Sequence, residues 1–253
     1  MIVHNPGAPS PFLLLGDHAG RHIPAELGDL GLAAGDLDRH IAWDIGVDGL
    51  GRRLAQALDA TFIAQTVSRL VIDCNRDPDR PDAICEVSDG TPIPGNAGLS
   101  AEARAQRIAT VFGPYHAAIA AELDDRAAQD RPSLVVALHS FTPAMKDGAP
   151  RPWEFGVLHL GRSAFSDAIL ARLRAEPDRP RIGDNQPYEM DGSDYTVPRH
   201  AIARGLDYLE LEVRQDLIAA AAGRQGVADR LARLLPLALA DATEGGARSG
   251  ATV

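Results

Sequence analysis

A buried strand that ends in polar side chains stands at residues 134–140, with the sequence LVVALHS. Its uninterrupted apolar run is typical of a strand covered on both faces of a parallel or mixed sheet. Similar runs occur at residues 12–15, 61–65, 70–72, 155–160 and 208–213. Amphipathic helical patterns lie between them. This alternation predicts a three-layer α/β/α sandwich with a mixed sheet.

Four helices are predicted from apolar spacing and capping signals. The apolar positions of the first two are Val47, Leu50, Leu54 and Leu58, and then Ile108, Val111, Phe112, Tyr115, Ile119 and Leu123. The third is capped by Ser163 and buries Ala164, Ala168, Leu170 and Leu173, and the fourth spans 227–235 before Pro236. Gly113-Pro114 falls inside the second pattern, so we expect a kink or break there.

Length and composition favour a packed globular protein. The 253 residues include 45% apolar residues and carry a formal net charge of −10. We expect a single domain over residues 1–243 and a flexible tail over 244–253. The excess of carboxylates disfavours nucleic acid as a partner. The small number of cysteines, Cys74 and Cys85, together with the lack of a leader or membrane-spanning run, predicts a cytoplasmic protein that does not bind membranes.

Three connections are long and polar: residues 77–100, 141–152 and 178–199. Loops of this length are either the walls or lids of a site or flexible surface excursions, and the sequence favours neither.

Polar side chains follow several of the predicted strands. They are Asp17 and His18; Asp73, Asn75 and Arg76; His139 and Ser140; and Glu212 and Arg214. Ligands of open α/β sheets bind outside the carboxyl ends of the strands, so we expect these residues to meet in one crevice.

Two histidines and nearby carboxylates are the ingredients of a catalytic zinc site, in which three protein ligands leave one position open. The HExxH motif is absent. His18 and His22 have helical spacing, but Ile23-Pro24 follows at once, which makes a shared helical face doubtful.

A set of sequence blocks resembles the N-formylglutamate amidohydrolase family in content and order. The blocks are residues 17–24 (DHAGRHIP), 40–46 (HIAWDIG), 68–76 (SRLVIDCNR), 137–143 (ALHSFTP), 184–188 (DNQPY) and 211–217 (LEVRQDL). Together they cover most of the chain between Leu13 and Leu217. The resemblance implies a phosphorylase/hydrolase-like fold and a zinc-dependent amidohydrolase, distantly similar to zinc carboxypeptidases and aspartoacylases.

The metal ligands implied by this resemblance are His18, His139 and a carboxylate. Relatives of the carboxypeptidase type use His-x-x-Glu, but here Arg21 follows His18 at that distance and cannot bind a cation. We choose Asp44, with His40 four residues before it on one helical face. The alternatives are an ordinary surface pair at these positions, and His22 as the ligand. The metal is Zn²⁺ in this interpretation, although Co²⁺, Mn²⁺ or Fe²⁺ suit similar donors.

The resemblance also implies the remaining roles. Glu212 is the general base, and Glu210 lies on the same face of the strand by the period of two.

Substrate contacts are expected from Arg69, Asn75 and Arg76, which resemble an Asn-Arg carboxylate clamp, and from His200, which could polarise the oxyanion or hydrogen-bond substrate. Arg76 could instead pair with Asp73 or Asp77, and His200 could be a surface loop residue.

The expected activity is metal-dependent hydrolysis of the amide bond of a small N-acyl amino acid that resembles N-formylglutamate. Two alternatives remain: a carboxypeptidase or peptidoglycan-type amidase with the same metal core, and a non-catalytic small-molecule binding protein with the same fold.

Overall fold

The computed structural model describes residues 1–250, with side chains for residues 1–244. The strands are β1 (Ile2–His4), β2 (Phe12–Gly16), β3 (Thr61–Ala64), β4 (Val87–Ser88), β5 (Thr91–Pro92), β6 (Leu134–Phe141), β7 (Phe155–Leu158), β8 (Ile182–Asp184) and β9 (Asp207–Arg214). The α-helices are α1 (Val47–Leu58), α2 (Ala101–Arg107), α3 (Gly113–Ala128), α4 (Ala164–Arg174), α5 (Thr196–His200), α6 (Gln215–Ile218) and α7 (Ala221–Gly250).

Seven strands form one mixed sheet in the order β1-β3-β2-β6-β9-β7-β8, and β4 and β5 form a separate hairpin. β2, β3, β6 and β9 run parallel to one another, whereas β1 and β7 are antiparallel to their neighbours β3 and β9. The carboxyl ends of β2, β6 and β9 therefore meet at one edge of the sheet, as the sequence predicted.

Alternate residues of the central strands face two hydrophobic layers, because successive side chains of a strand point to opposite faces. Leu14, Val136 and Leu211 pack in a cluster with α1, α4 and α7. Leu13 and Val135 pack in a second cluster with α3 and α5. Helices thus cover both faces of the mixed sheet, which confirms the predicted α/β/α class.

The strand predicted at residues 70–72 is wrong. Leu70, Val71 and Ile72 are buried in the second cluster, but they lie in turns and join no sheet. Their neighbourhood is held by local bonds such as Val71 N–H to Ser68 C=O at 2.9 Å. A short apolar run predicts burial and does not distinguish a strand from a buried turn.

The interruption predicted at Gly113-Pro114 takes the form of a π-helical segment, Ile108–Phe112, between α2 and α3. Pro114 stands in the first turn of α3, where the missing N–H costs nothing. In α4 the cap at Ser163 is confirmed, but Ala164 is exposed and the buried stripe starts at Phe165.

Helix α7 is much longer than the predicted 227–235 and continues through Pro236. Leu234, Leu235 and Ala238 are buried around the proline, so packing offsets the lost hydrogen bond. The predicted tail at 244–253 starts inside α7, and residues 251–253 lie outside the described part of the chain. None of the described helices has the length and apolar content needed to cross a bilayer.

Candidate active site

A cavity of about 600 Å³ opens at the edge where β2, β6 and β9 end. Its lining includes His18, Asp44, His139 and Glu212, which come from four separate parts of the chain. The predicted loops contribute as well, since the β4–β5 hairpin, Met145 and the segment around Tyr188 form walls. The predicted convergence of strand-end residues is therefore present.

His18 follows the end of β2 and is 2% exposed. Its Nε2 lies 2.7 Å from Asp73 Oδ1. Its Nδ1 lies 3.5 Å from Asp44 Oδ2 and has no hydrogen-bond partner among the described residues. Asp44 is fixed there because its backbone N–H donates to the His18 carbonyl at 2.8 Å.

His139 lies on β6 and meets Asp44 from the other side. Its Nδ1 is 3.0 Å from Asp44 Oδ2, and its Nε2 is 3.3 Å from Asp17 Oδ2. Asp17 is held in turn by the Tyr115 hydroxyl at 2.7 Å and the Thr196 hydroxyl at 3.0 Å, which both donate to its Oδ1. Each histidine thus turns Nδ1 towards Asp44 and Nε2 towards an outer carboxylate.

This donor set fits a divalent metal ion. Ligand atoms of His18, Asp44 and His139 all lie within 4.8 Å of one another, and all three residues are buried. Metal-bound histidines usually donate the second ring N–H to a carboxylate, and Asp73 lies at hydrogen-bond distance from His18 Nε2 for this part. Asp17 faces His139 Nε2 at the ion-pair distance of 3.3 Å. A buried imidazole nitrogen without a partner is costly unless a ligand satisfies it.

The alternative ligand His22 is exposed, and the cavity lining does not include it. The predicted helical face shared by His40 and Asp44 is wrong, because residues 40–44 form turns and not a helix. His40 lines the cavity separately, with its Nε2 3.4 Å from Asp89 Oδ2 at the tip of the β4–β5 hairpin.

Charges inside the cluster stabilise the ionised carboxylates. Burial alone raises the pKa of Asp44, but His18 and His139 lower it to well below its ordinary value. Burial likewise opposes ionisation of Asp73, and the guanidinium of Arg69 together with His18 brings its pKa down. Both carboxylates therefore remain anionic acceptors at neutral pH.

Glu212 lies directly beside His139, its register partner on the neighbouring parallel strand. It is 6% exposed, and its Oε2 has no hydrogen-bond partner among the described residues. Burial raises the pKa of Glu212 to about 7, against the opposing effect of His139. A carboxyl group with this pKa can accept and return a proton near neutral pH.

Glu210 lines the same cavity two residues earlier on β9. It is 2% exposed, and its Oε2 also lacks a partner among the described residues. Burial raises its pKa to about 8. The structure thus brings both glutamates to the cavity, and Glu212 is the one in register with His139.

The two arginines line the cavity, and each already has a carboxylate partner. Arg69 donates from Nε and Nη2 to Asp73 Oδ2 at 3.1 and 2.5 Å, and its Nη1 is 3.5 Å from Asp44 Oδ1. Arg76 Nη1 donates to Asp194 Oδ1 at 2.9 Å. The suggested pairing of Arg76 with Asp73 or Asp77 is therefore replaced by Asp194.

Asn75 shapes the wall with both ends of its amide. Its Oδ1 accepts from the backbone N–H groups of Tyr195 and Thr196 at 3.0 and 2.9 Å, and its Nδ2 donates to Asp194 Oδ1 at 3.3 Å. The side chain thereby ties the start of α5 to the residues after Asp73.

His200 is not among the lining residues, and it is not a surface residue either. It is 2% exposed and stacks on His116, with His200 Nε2 2.9 Å from His116 Nδ1. Burial, followed by His116, lowers the pKa of His200 to about 3. The structure therefore does not bring His200 to the cavity, because α5 packs this side chain against His116 of α3.

The sequence predicts Asp17 and Asp73 as strand-end residues, and Asp73 also as an alternative partner of Arg76. Their role as partners of His139 and His18 was missed. The available signal was a chemical one, because metal-bound imidazoles need carboxylate acceptors and the strand-end residues Asp17 and Asp73 can supply them.

A family model identifies the family of the chain. The model of N-formylglutamate amidohydrolase matches residues 10–219. The chain belongs to this family. The predicted resemblance is confirmed, and the chain is a member of a family of amidohydrolases.

Solved structures agree with this assignment. A gene product of Agrobacterium tumefaciens is 37% identical, covers 94% of each chain and superposes with a TM-score of 0.90. An N-formylglutamate amidohydrolase from Ralstonia eutropha JMP134 is 21% identical over 95% of this chain and 96% of its own, with a TM-score of 0.68, and therefore shares the fold. A comparison with curated proteins finds no match.

Proposed function

We propose that this member of the N-formylglutamate amidohydrolase family is a metal-dependent hydrolase that cleaves the amide bond of a small N-acyl amino acid. The observation that carries the proposal is the meeting of ligand atoms of His18, His139 and Asp44 beside Glu212, whose Oε2 has no hydrogen-bond partner among the described residues. His18, Asp44 and His139 would hold the ion, with Zn²⁺ as the expected metal. When bound, it supplies Lewis acidity that polarises a carbonyl group and lowers the pKa of water to about 7.

Glu212 is the proton carrier in this proposal. Its Oε2 has no partner among the described residues, so the carboxylate can accept a proton from the attacking water. It then gives this proton to the nitrogen of the leaving amine. The neighbouring hydrophobic layer keeps the strand rigid, since Leu211 and Val213 anchor the opposite face of β9.

In this proposal Arg69 and Arg76 contact different parts of the substrate. Arg69 lies next to Asp44, and its Nη1 remains available to the acyl oxygen because Asp73 occupies Nε and Nη2. Arg76 lies on the Asp194 side of the cavity and is the proposed partner of the substrate carboxylate. Asn75 positions this wall and need not touch the substrate.

The alternatives receive less support. A cavity of about 600 Å³ is in the range of small-molecule sites, which favours an N-acyl amino acid over a peptidoglycan strand. Burial raises the pKa of Glu212 to about 7, which suits a group that accepts and returns a proton and favours a hydrolase over a pure binding protein. Free Cys74 and Cys85 support the proposal of a reducing, cytoplasmic location.

The test combines metal analysis with a substrate screen. The purified protein should contain one divalent ion per chain and hydrolyse N-formyl, N-acetyl or N-succinyl amino acids, with activity lost to a chelator and restored by Zn²⁺. The His18→Ala and His139→Ala double variant should lose the ion. Glu212→Gln should keep it while kcat falls on the order of 10²–10⁴-fold. Full metal content in the histidine double variant would contradict the ligand assignment.

A further inference from the structure

The carboxylate of Asp17 carries two hydroxyl groups on one oxygen and faces His139 with the other. The Tyr115 hydroxyl, from α3, donates to Asp17 Oδ1 at 2.7 Å, and the Thr196 hydroxyl, from α5, donates to the same oxygen at 3.0 Å. Asp17 Oδ2 has no hydrogen-bond partner among the described residues and lies 3.3 Å from His139 Nε2. The two donors therefore fix the carboxylate in the rotation that directs Oδ2 at His139.

Burial makes this carboxylate dependent on the two hydroxyl groups. Asp17, Tyr115 and Thr196 are all buried, so a lost bond would leave Asp17 Oδ1 without solvent to replace the donor. Burial, followed by the charge of Asp17, raises the pKa of Tyr115 well above its ordinary value, so the phenol keeps its proton and donates. The Thr196 hydroxyl also lies 3.3 Å from the Cys74 carbonyl, but the carboxylate is nearer and charged and is the stronger acceptor.

Each donor is itself anchored behind the cavity. The backbone N–H of Thr196 donates to Asn75 Oδ1 at 2.9 Å, and Tyr115 packs in the second hydrophobic cluster from the first turn of α3. Neither of them is among the described residues that line the cavity. A substrate in the cavity therefore does not contact these hydroxyl groups, and the group that they serve is Asp17.

We propose that Tyr115 and Thr196 are positioning residues of the metal site, which act through Asp17 to orient the imidazole of His139. This inference rests on the proposed function, because it takes His139 as a metal ligand. A fixed Asp17 Oδ2 can accept the second ring N–H of His139, which holds the ring in one tautomer and orientation and raises its basicity. A carboxylate without its two donors can rotate away from the ring.

The first experiment removes the hydroxyl groups and keeps the shape of each side chain. Tyr115→Phe and Thr196→Val should each weaken Zn²⁺ binding severalfold, and the double variant on the order of tenfold, in a competition with a chromogenic chelator. Thr196→Ser retains the hydroxyl group and should bind Zn²⁺ as tightly as the wild type. Unchanged Zn²⁺ affinity in the folded double variant, or a loss in Thr196→Ser equal to that in Thr196→Val, would overturn the proposal.

Two control variants make the same chemical changes at other buried positions. The Tyr208 hydroxyl accepts from the Leu160 backbone N–H at 2.9 Å, and the Thr61 hydroxyl donates to the Asn5 carbonyl at 3.0 Å. Tyr208→Phe and Thr61→Val should leave Zn²⁺ affinity unchanged, even where the lost bond lowers the Tm. Equal losses of Zn²⁺ affinity in these controls would indicate general destabilisation and contradict the proposal.

A double-mutant cycle tests whether Asp17 carries the effect. Asp17→Ala removes the carboxylate and should weaken Zn²⁺ binding on the order of 10–100-fold. In this background Tyr115→Phe should cause no further loss, because residues that act through one shared group are not additive. A further loss as large as the one that Tyr115→Phe causes in the wild type would show that Tyr115 does not act through Asp17.

The Zn²⁺ affinity is measured without turnover, so this proposal and the proposed function can fail separately. If no N-acyl amino acid is hydrolysed but the double variant loses Zn²⁺ affinity, the hydrolase proposal fails and the positioning role stands. If the wild type hydrolyses an N-acyl amino acid and the double variant keeps its Zn²⁺ affinity, only the positioning role fails. At saturating Zn²⁺ the KM of the double variant should equal that of the wild type, and a raised KM would contradict a role confined to the metal site.

Discussion

Replacing Asp73 by Asn tests the carboxylate that stands behind the proposed metal ligand His18. Asp73 Oδ1 lies 2.7 Å from His18 Nε2, and Oδ2 accepts two bonds from Arg69 at 2.5 and 3.1 Å. Asparagine keeps the shape but has one acceptor oxygen, so its NH₂ group must face either the His18 N–H or the guanidinium. The imidazole of His18 is then held less firmly in its orientation and becomes a weaker base.

The expected result is weaker metal binding. Loss of an outer partner of this kind costs roughly 10–100-fold in affinity, or about 1.4–2.8 kcal/mol at 25 °C. The affinity is measured by competition for Zn²⁺ with a chromogenic chelator, on protein shown by circular dichroism to be folded. Saturating Zn²⁺ should restore only part of the activity, because the substitution also displaces Arg69, which donates to Asp73.

Asp184→Asn is the matched control. Asp184 accepts from His159 Nε2 at 2.8 Å and from Arg162 at 2.7 Å, which repeats the arrangement of histidine, aspartate and arginine outside the cavity. This variant should leave Zn²⁺ affinity unchanged. An Asp73→Asn protein that binds Zn²⁺ as tightly as the wild type would refute the assignment of His18 Nδ1 as a metal donor supported by Asp73.

Three further outcomes are expected. Arg76→Lys should reduce turnover of acyl-amino acids more than that of the corresponding amides, which lack the carboxylate, and equal losses in a comparison of kcat/KM would indicate a structural role. In metal-free protein, burial raises the pKa of Glu212 from 4.5 to about 7, so this group favours folding most below pH 4.5 and that stability is lost as the pH rises through 7. Urea unfolding should therefore show Glu212→Gln more stable than the wild type by up to about 3 kcal/mol near pH 8, with no difference near pH 4; a constant difference would contradict the raised pKa. Gly156→Ala places a Cβ 2.1 Å from the Gln186 carbonyl oxygen and 3.2 Å from Glu212 Cβ, so activity and thermal stability should both fall. The control Gly192→Ala places its Cβ where no atom lies within 4 Å, and it should be neutral in the same assays.

The main layers of the fold were predictable because burial dictates the sequence pattern there. The apolar runs ending at Leu15, Leu138 and Val213 belong to the central strands β2, β6 and β9. Parallel pairing then places His18, His139 and Glu212 at one edge by geometry alone. Residues 70–72 show the limit of this argument, because a buried turn has the same apolar sequence pattern as a buried strand.

The partners of the polar residues were harder to predict from the sequence. Arg76 pairs with Asp194, 118 positions later, and no spacing in the sequence relates the two. His200 has a side chain of the kind found in active sites, but the packing of α5 on α3 turns it towards His116. Asp44 was chosen through the family resemblance, and the helical reason given for it is wrong even though the structure places it beside both histidines.

The segment between β2 and α1 contains only three-residue 3₁₀ turns as regular structure, and it carries Asp44 at its end. An ion shared by His18, Asp44 and His139 would join this irregular segment to the rigid strand β6. Metal would thus act as a cross-link that closes two large chain loops, a constraint on the unfolded ensemble that resembles a disulfide in its effect. On withdrawal of the ion, this segment would be the first part of the molecule to become accessible to a protease, while the sheet behind it stays closed.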